Sequence, residues 1–322
     1  MRRILSKASG LRVWIATFAL TSAVITPGFA QAAKKKSETS TPPPAGAVAR
    51  IQKSGTLKLG YRADARPFSF KDEAGKPAGY SVDLCQALAG TIKTDLNLPD
   101  LQVQWVPVAL DEQVGAVQQH QVDILCGATS VTLERRKSVD FSTPIFPGGV
   151  GVVTRSDAPT QLRNILAGKA QNYTPTWRAV ALNVIREQVF VTLPGTTAEQ
   201  WIQRRGRQLQ VEADVRPVPS YEAGLQSVVS RKANAFFAER AVLLDAVEHN
   251  KAYHDLTMID RQFTYEPLAL AIERGDDDFR LLVDRDLSRF YTSPEFTALY
   301  TRYFGEPKDE TLTFFRWNAL PN

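Results

Sequence analysis

Histidine and cysteine are scarce, three and two among 322 residues. His120, His249 and His254 stand at no spacing that sets two imidazoles on one metal ion. No G-x-S-x-G elbow, Walker loop or dinucleotide fingerprint occurs, so the common hydrolase, NTPase and nicotinamide-enzyme signatures are missing. Long hydrophobic runs are missing too, since the stretch from Val13 to Ile25 is short and Ser/Thr-rich for a bilayer span. No internal repeat is visible, and no low-complexity tract follows residue 47.

The chain opens on Met1-Arg2-Arg3 with Lys7 and Arg12, then that apolar stretch, then Ala30-Gln31-Ala32. Charged, apolar and small-residue regions in this order read as a secretory signal peptide over residues 1–32, with an uncleaved anchor as the alternative. Residues 33–47, with Lys34, Lys35, Lys36 and Pro42-Pro43-Pro44, read as a flexible, solvated linker. Residues 1–32 hold four of the 39 basic residues and none of the 34 acidic ones, so 35 face 34 in the remainder. Without the linker's three lysines and Glu38 the balance is 32 against 33, which argues against a nucleic-acid partner. About 275 residues remain, enough for two compact lobes. In an exported chain, Cys85 and Cys126 would bridge if their helix and strand pack together; two buried thiols are the alternative.

Periodicity supplies the elements. Thr56–Tyr61 alternates as a strand, and Cys85, Leu88, Ala89 and Ile92 repeat at helical spacing. A strand over 101–106, a helix over 111–119 and a buried strand over 122–126 follow. This β-α-β-α-β order predicts a mostly parallel sheet with helices on its faces. After Pro147-Gly148-Gly149 the pattern restarts: strands over 151–154, 190–193, 211–218 and 233–237, a capped helix after Gly195, and a helix over 221–229. A strand-like stretch over 265–272 and helices over 277–291 and 294–303 close the chain, the first with its apolar face at Leu281, Val283, Leu287 and Phe290. Residues 157–188, with Tyr173 and Trp177, read as an insertion in the second lobe.

The run Gly127–Ser142 places small hydroxyl residues and then Arg135 behind a buried strand, where an open α/β sheet holds ligands. Backbone N–H groups, hydroxyls and a guanidinium fork suit a carboxylate.

The signatures Gly79-Tyr80-Ser81-Val82-Asp83-Leu84, Val122-Asp123-Ile124-Leu125, Thr132-Leu133-Glu134-Arg135, Val139-Asp140-Phe141-Ser142, Gly195-Thr196-Thr197 and Ala235-Phe236-Phe237 resemble those of the family 3 extracellular solute-binding proteins, the amino acid receptors of ABC importers. Ser81 departs from the family's usual acidic residue there. The resemblance implies an α/β periplasmic binding protein fold of two lobes, each a mostly parallel sheet with flanking helices, joined by two hinge strands. Lobe 1 would comprise 48–146 and 268–322, and lobe 2 150–264. It also implies a periplasmic monomer without a cofactor, whose partners are a small amino acid and a membrane permease.

Carried onto this chain, the family pattern assigns the ligand α-carboxylate to Arg135, with Thr129 and Ser130 as further donors. Thr196 and Thr197 would contribute from the second lobe, and Glu239 would take the α-amino group where relatives use an aspartate. The loop Gly60–Phe70 resembles that of glutamate/aspartate-binding proteins, which implies a side-chain contact for Arg62; pairing of Arg62 with Asp64 or Asp72 is the alternative. Ala65 stands where many relatives carry an aromatic platform. Dehydratases on the same fold offer an enzymatic alternative, with Glu239 as acid.

Overall fold

The computed structural model describes residues 46–169 and 184–321. The expected signal peptide, most of the linker, Tyr173 and Trp177 lie outside the described residues.

Two sheets organise the chain. In the first, the strand order is Gln102–Pro107, Thr56–Tyr61, Ile124–Ser130, Glu266–Glu273, Val139–Phe141, and Phe146–Gly148 pairs beside Glu266–Glu273. In the second it is Asp214–Pro217, Val189–Thr192, Ala235–Glu239, Val150–Arg155, Leu256–Met258. Each begins with three parallel strands. Helices Tyr80–Asp95 and Gln113–Gln118 serve the first sheet's crossovers, and Thr197–Leu209 and Tyr221–Val229 the second's. The antiparallel strands are Glu266–Glu273 and Val150–Arg155. These are the strands on which the chain passes from one sheet to the other and returns, so the reversal follows from the crossing. The expected two-lobed α/β architecture is present, with one reversed strand in each mostly parallel sheet.

Several local expectations are corrected. The buried strand runs to Ser130 rather than ending at Cys126, so Thr129 and Ser130 belong to the strand itself. Glu239 likewise ends the strand Ala235–Glu239 instead of following it. Leu281 is 66% exposed, and its neighbour Leu282 takes the buried position on helix Asp277–Tyr291. The two helices expected to close the chain are followed by a third, Asp309–Asn318, whose Phe315 packs 4.4 Å from Phe296 between ring centroids. The expected insertion opens with helix Thr160–Ala167, which buries Leu162 and Leu166. A small antiparallel sheet, Asp64–Ala65, Ser69–Lys71 and Pro77–Ala78, was not foreseen, because strands of two or three residues leave no periodicity.

Cys85 and Cys126 form a disulfide with their Cα atoms 6.2 Å apart, joining helix Tyr80–Asp95 to strand Ile124–Ser130. In the same hydrophobic cluster, Phe68, Tyr80, Phe146, Tyr300 and Phe304 meet at ring distances of 4.7 to 6.5 Å. Gly79 must be glycine: its φ is +125°, and a Cβ there would sit 2.3 Å from the Phe68 carbonyl oxygen. Among the described residues no helix is long and apolar enough to cross a membrane.

Candidate ligand cleft

A cavity of about 50 Å³ opens at the carboxyl ends of the parallel strands, and residues of both lobes line it. Arg62, Thr129, Ser130 and Arg135 come from the first lobe, and Thr196, Thr197 and Glu239 from the second. All seven candidates read from the sequence therefore share one wall system.

Arg135 opens a single 3₁₀ turn, Arg135–Lys137, and its N–H donates to Thr132 Oγ1 at 3.1 Å. The Thr-x-x-Arg spacing thus acts as a cap that aims the side chain back over the strand end. Its Nη1 donates to the Ser130 carbonyl at 2.8 Å, and Nη2 reaches the Gly195 carbonyl of the other lobe at 3.4 Å. Among the described residues no carboxylate lies within ion-pairing distance, 4.0 Å, of this guanidinium. Burial pulls its pKa down and the Glu266 carboxylate, at longer range, opposes that shift; an arginine stays protonated nevertheless. The adjacent Arg136 is exposed, as its position one residue on predicts.

The two threonines of the Gly-Thr-Thr turn divide the work. Thr196 is the N-cap of helix Thr197–Leu209: its hydroxyl accepts from Glu199 N–H at 3.3 Å and donates to the Leu193 carbonyl at 2.7 Å. Glu199 reaches back to the Gly195 N–H at 2.8 Å. The Thr197 hydroxyl makes no hydrogen bond among the described residues, which leaves it to the cavity. On the first lobe, Thr129 is buried with its hydroxyl directed to Gln113 Oε1 at 3.0 Å or the Gly127 carbonyl at 3.2 Å, so it orients Gln113.

Glu239 is half-buried at the strand end, and its carboxylate accepts from Gly149 N–H at 3.1 Å and Ala241 N–H at 3.4 Å. Burial pushes its pKa up to about 8, the two N–H donors and Arg240 offsetting only part of the effect and Glu266 adding to it. At neutral pH this acid mostly keeps its proton. No ion pair joins it to Arg240, which reaches Asp260 at 3.8 Å instead.

Arg62 is 7% exposed, locked by Ser69, whose hydroxyl accepts from the Arg62 N–H at 2.8 Å and donates to its carbonyl at 3.0 Å. Its guanidinium lies 5.7 Å from the centroid of the Tyr221 ring and donates from Nε and Nη2 to Asp64 Oδ1 at 3.0 and 2.6 Å. Asp72 instead organises its own turn, accepting from Ala74 and Lys76. Ala65 is packed into the core, and the aromatic surface near Arg62 comes from Tyr221 across the cleft. Gln113 and Tyr221 escaped the sequence reading because on short helices they look like ordinary polar and core positions. A side-chain ion pair also crosses between the lobes, Arg66 Nε to Asp245 Oδ2 at 3.1 Å.

The chain matches the model of the bacterial extracellular solute-binding proteins, family 3, over residues 57–306, and it belongs to that family. Among curated proteins it is 29% identical over 263 residues to the L-glutamate/L-aspartate-binding protein of Pseudomonas aeruginosa, covering 81% of each chain. It is 25% identical to the glutamate/aspartate import solute-binding protein of Salmonella typhimurium, with 89% of each covered. Among solved structures, an ancestral amino acid-binding protein described as a precursor of cyclohexadienyl dehydratase superposes with a TM-score of 0.65 at 27% identity, covering 81% of this chain and all of that one.

Proposed function

We propose that this family 3 solute-binding protein holds a polar L-amino acid between its lobes and delivers it to the permease of an ABC importer. Arg135, with Ser130, takes the α-carboxylate; Glu239 takes the α-ammonium; Thr197 closes from the second lobe, and Arg62 faces the ligand side chain. Thr129 and Thr196 hold this arrangement in shape. Residues 145–149 and 265–269 act as hinges between a first lobe of 48–146 and 268–322 and a second of 150–264. The protein works as a periplasmic monomer after removal of residues 1–32.

The observation that carries this reading is the convergence of all seven residues, from both sheets, on one cavity around an arginine with no carboxylate partner. Only closed lobes offer both sets of donors, so a ligand that engages both favours closure. A micromolar constant corresponds to about 8 kcal/mol, within reach of a few charge-assisted bonds plus burial after ordering costs. A thermal-shift panel of the L-amino acids on the purified mature protein identifies the ligand. Calorimetry of Arg135→Ala then tests the site: loss of one charge-assisted contact, about 1.5 to 3 kcal/mol, weakens binding roughly 10- to 150-fold, whereas unchanged affinity refutes the assignment.

A second reading rests on Glu239 alone. An acid that keeps its proton to about pH 8 is poised to protonate a leaving hydroxyl, as a dehydratase on cyclic precursors of aromatic amino acids requires. We favour binding without turnover, because Glu239 shares its cavity with Arg135, an arginine free of any carboxylate partner among the described residues and suited to a ligand carboxylate. Appearance of an aromatic product's absorbance on incubation with such a cyclohexadienyl substrate would reverse that choice.

A further inference from the structure

The cleft holds two arginines in different electrostatic states. Arg135 spends its donors on backbone carbonyls, which are neutral, and keeps its charge uncompensated by any ion pair among the described residues. Arg62 donates twice to the Asp64 carboxylate and is itself almost wholly enclosed. We propose that the cleft is built for a ligand bearing a single carboxylate, an L-amino acid with an uncharged polar side chain, and that Asp64 sets this selectivity by occupying the Arg62 guanidinium. The inference rests on the amino acid reading above and names its side-chain class.

A zwitterionic ligand brings one carboxylate and one ammonium, and Arg135 and Glu239 stand opposite as their partners. A second carboxylate has nowhere comparable to go. At Arg62 it must share one guanidinium with Asp64, which sets two like charges around a single arginine that is itself 7% exposed. A carbonyl or hydroxyl oxygen on the ligand side chain adds no charge and can accept from the N–H groups of Arg62 that Asp64 leaves unused. Tyr221, itself buried, sets its ring beside the Arg62 guanidinium from the second lobe.

Asp64 is 38% exposed in its side chain and lies in a two-residue strand, so Asp64→Asn is compatible with folding; Asp64→Ser is the second variant. The test is the thermal-shift panel on wild type, followed by calorimetry of its tightest ligand, glutamine and glutamate on wild type and both variants at constant pH and ionic strength. The tightest wild-type ligand is expected to carry an uncharged polar side chain and to bind at least tenfold better than glutamate. In both variants glutamate should gain at least tenfold relative to that ligand, whose own affinity changes less than threefold. An acidic, basic or apolar side chain on the tightest ligand overturns the selectivity while leaving amino acid binding intact, and so does a glutamate ratio unchanged in the variants. A panel in which no amino acid raises the wild-type midpoint overturns both.

Discussion

The backbone N–H of Gly149 donates to the Glu239 carboxylate, 3.1 Å from Oε2. Gly149 lies between strands Phe146–Gly148 and Val150–Arg155, where the chain leaves the first sheet for the second, so the crossing and the acid of the cleft are tied by one bond. Any change in the crossing's geometry is felt at Glu239.

On the proposed reading that acid makes both stability and binding depend on pH. Its folded pKa, about 8, lies above its ordinary value of 4.5, so its contribution to stability is complete below about pH 4.5 and is lost as pH rises through 8. The melting midpoint of wild type should therefore fall relative to Glu239→Gln between pH 5 and 9, while the two converge in their pH response outside that window. Binding an ammonium requires the ionised form, so affinity should rise up to about tenfold per pH unit below 8 and then level off, with proton release read from calorimetry in buffers of different ionisation enthalpy. The Gln variant should lose this pH dependence.

Gly149 itself has φ +155°, and a Cβ there would lie 2.0 Å from the Thr264 carbonyl oxygen. Gly149→Ala must push the two crossing segments apart. Its expected cost is at least about 2 kcal/mol in denaturant unfolding, accompanied by weaker ligand binding. A neutral effect on both would show that the crossing tolerates displacement.

The two threonines should separate cleanly. Thr196→Ala removes a helix cap and should cost about 1 kcal/mol of stability. Thr197→Ala breaks no bond among the described residues and should leave the melting midpoint within a degree or two while reducing affinity several-fold. Equal effects of both substitutions on stability would contradict this division.

Replacing both cysteines with serine opens a loop of 41 positions, and loop entropy assigns the bridge about 4 kcal/mol. For a domain this size the midpoint should drop by roughly 8 to 16 °C. The drop should also appear in wild type treated with a strong reductant.

Much of this was legible in the sequence, and for identifiable reasons. Helices Tyr221–Val229 and Asp277–Tyr291 match their expected bounds because apolar residues recur at helical spacing and Ser220 and Asp276 supply caps. The seven cleft candidates converge because the motif pattern carries the order of strand ends. What stayed hidden depends on contacts across the chain: Leu281 and Leu282 are indistinguishable until the neighbouring elements decide which is covered, and Tyr221 meets Arg62 only through tertiary packing. Asp64 was visible as one of two partners for Arg62; only the fold shows Asp72 committed to its own turn.

The bond from Arg135 Nη2 to the Gly195 carbonyl has a thermodynamic consequence for every ligand. A carboxylate arriving at that guanidinium exchanges with an acceptor the protein already supplies, so measured affinity reports a difference between two partners. At 3.4 Å the internal bond is long and its acceptor uncharged, which makes it an easy one to surrender. On the proposed reading, the Nη1 bond to the Ser130 carbonyl, made within the first lobe, holds Arg135 ready before the lobes close, and much of the entropic cost of immobilising a long side chain falls on folding instead of on ligand capture.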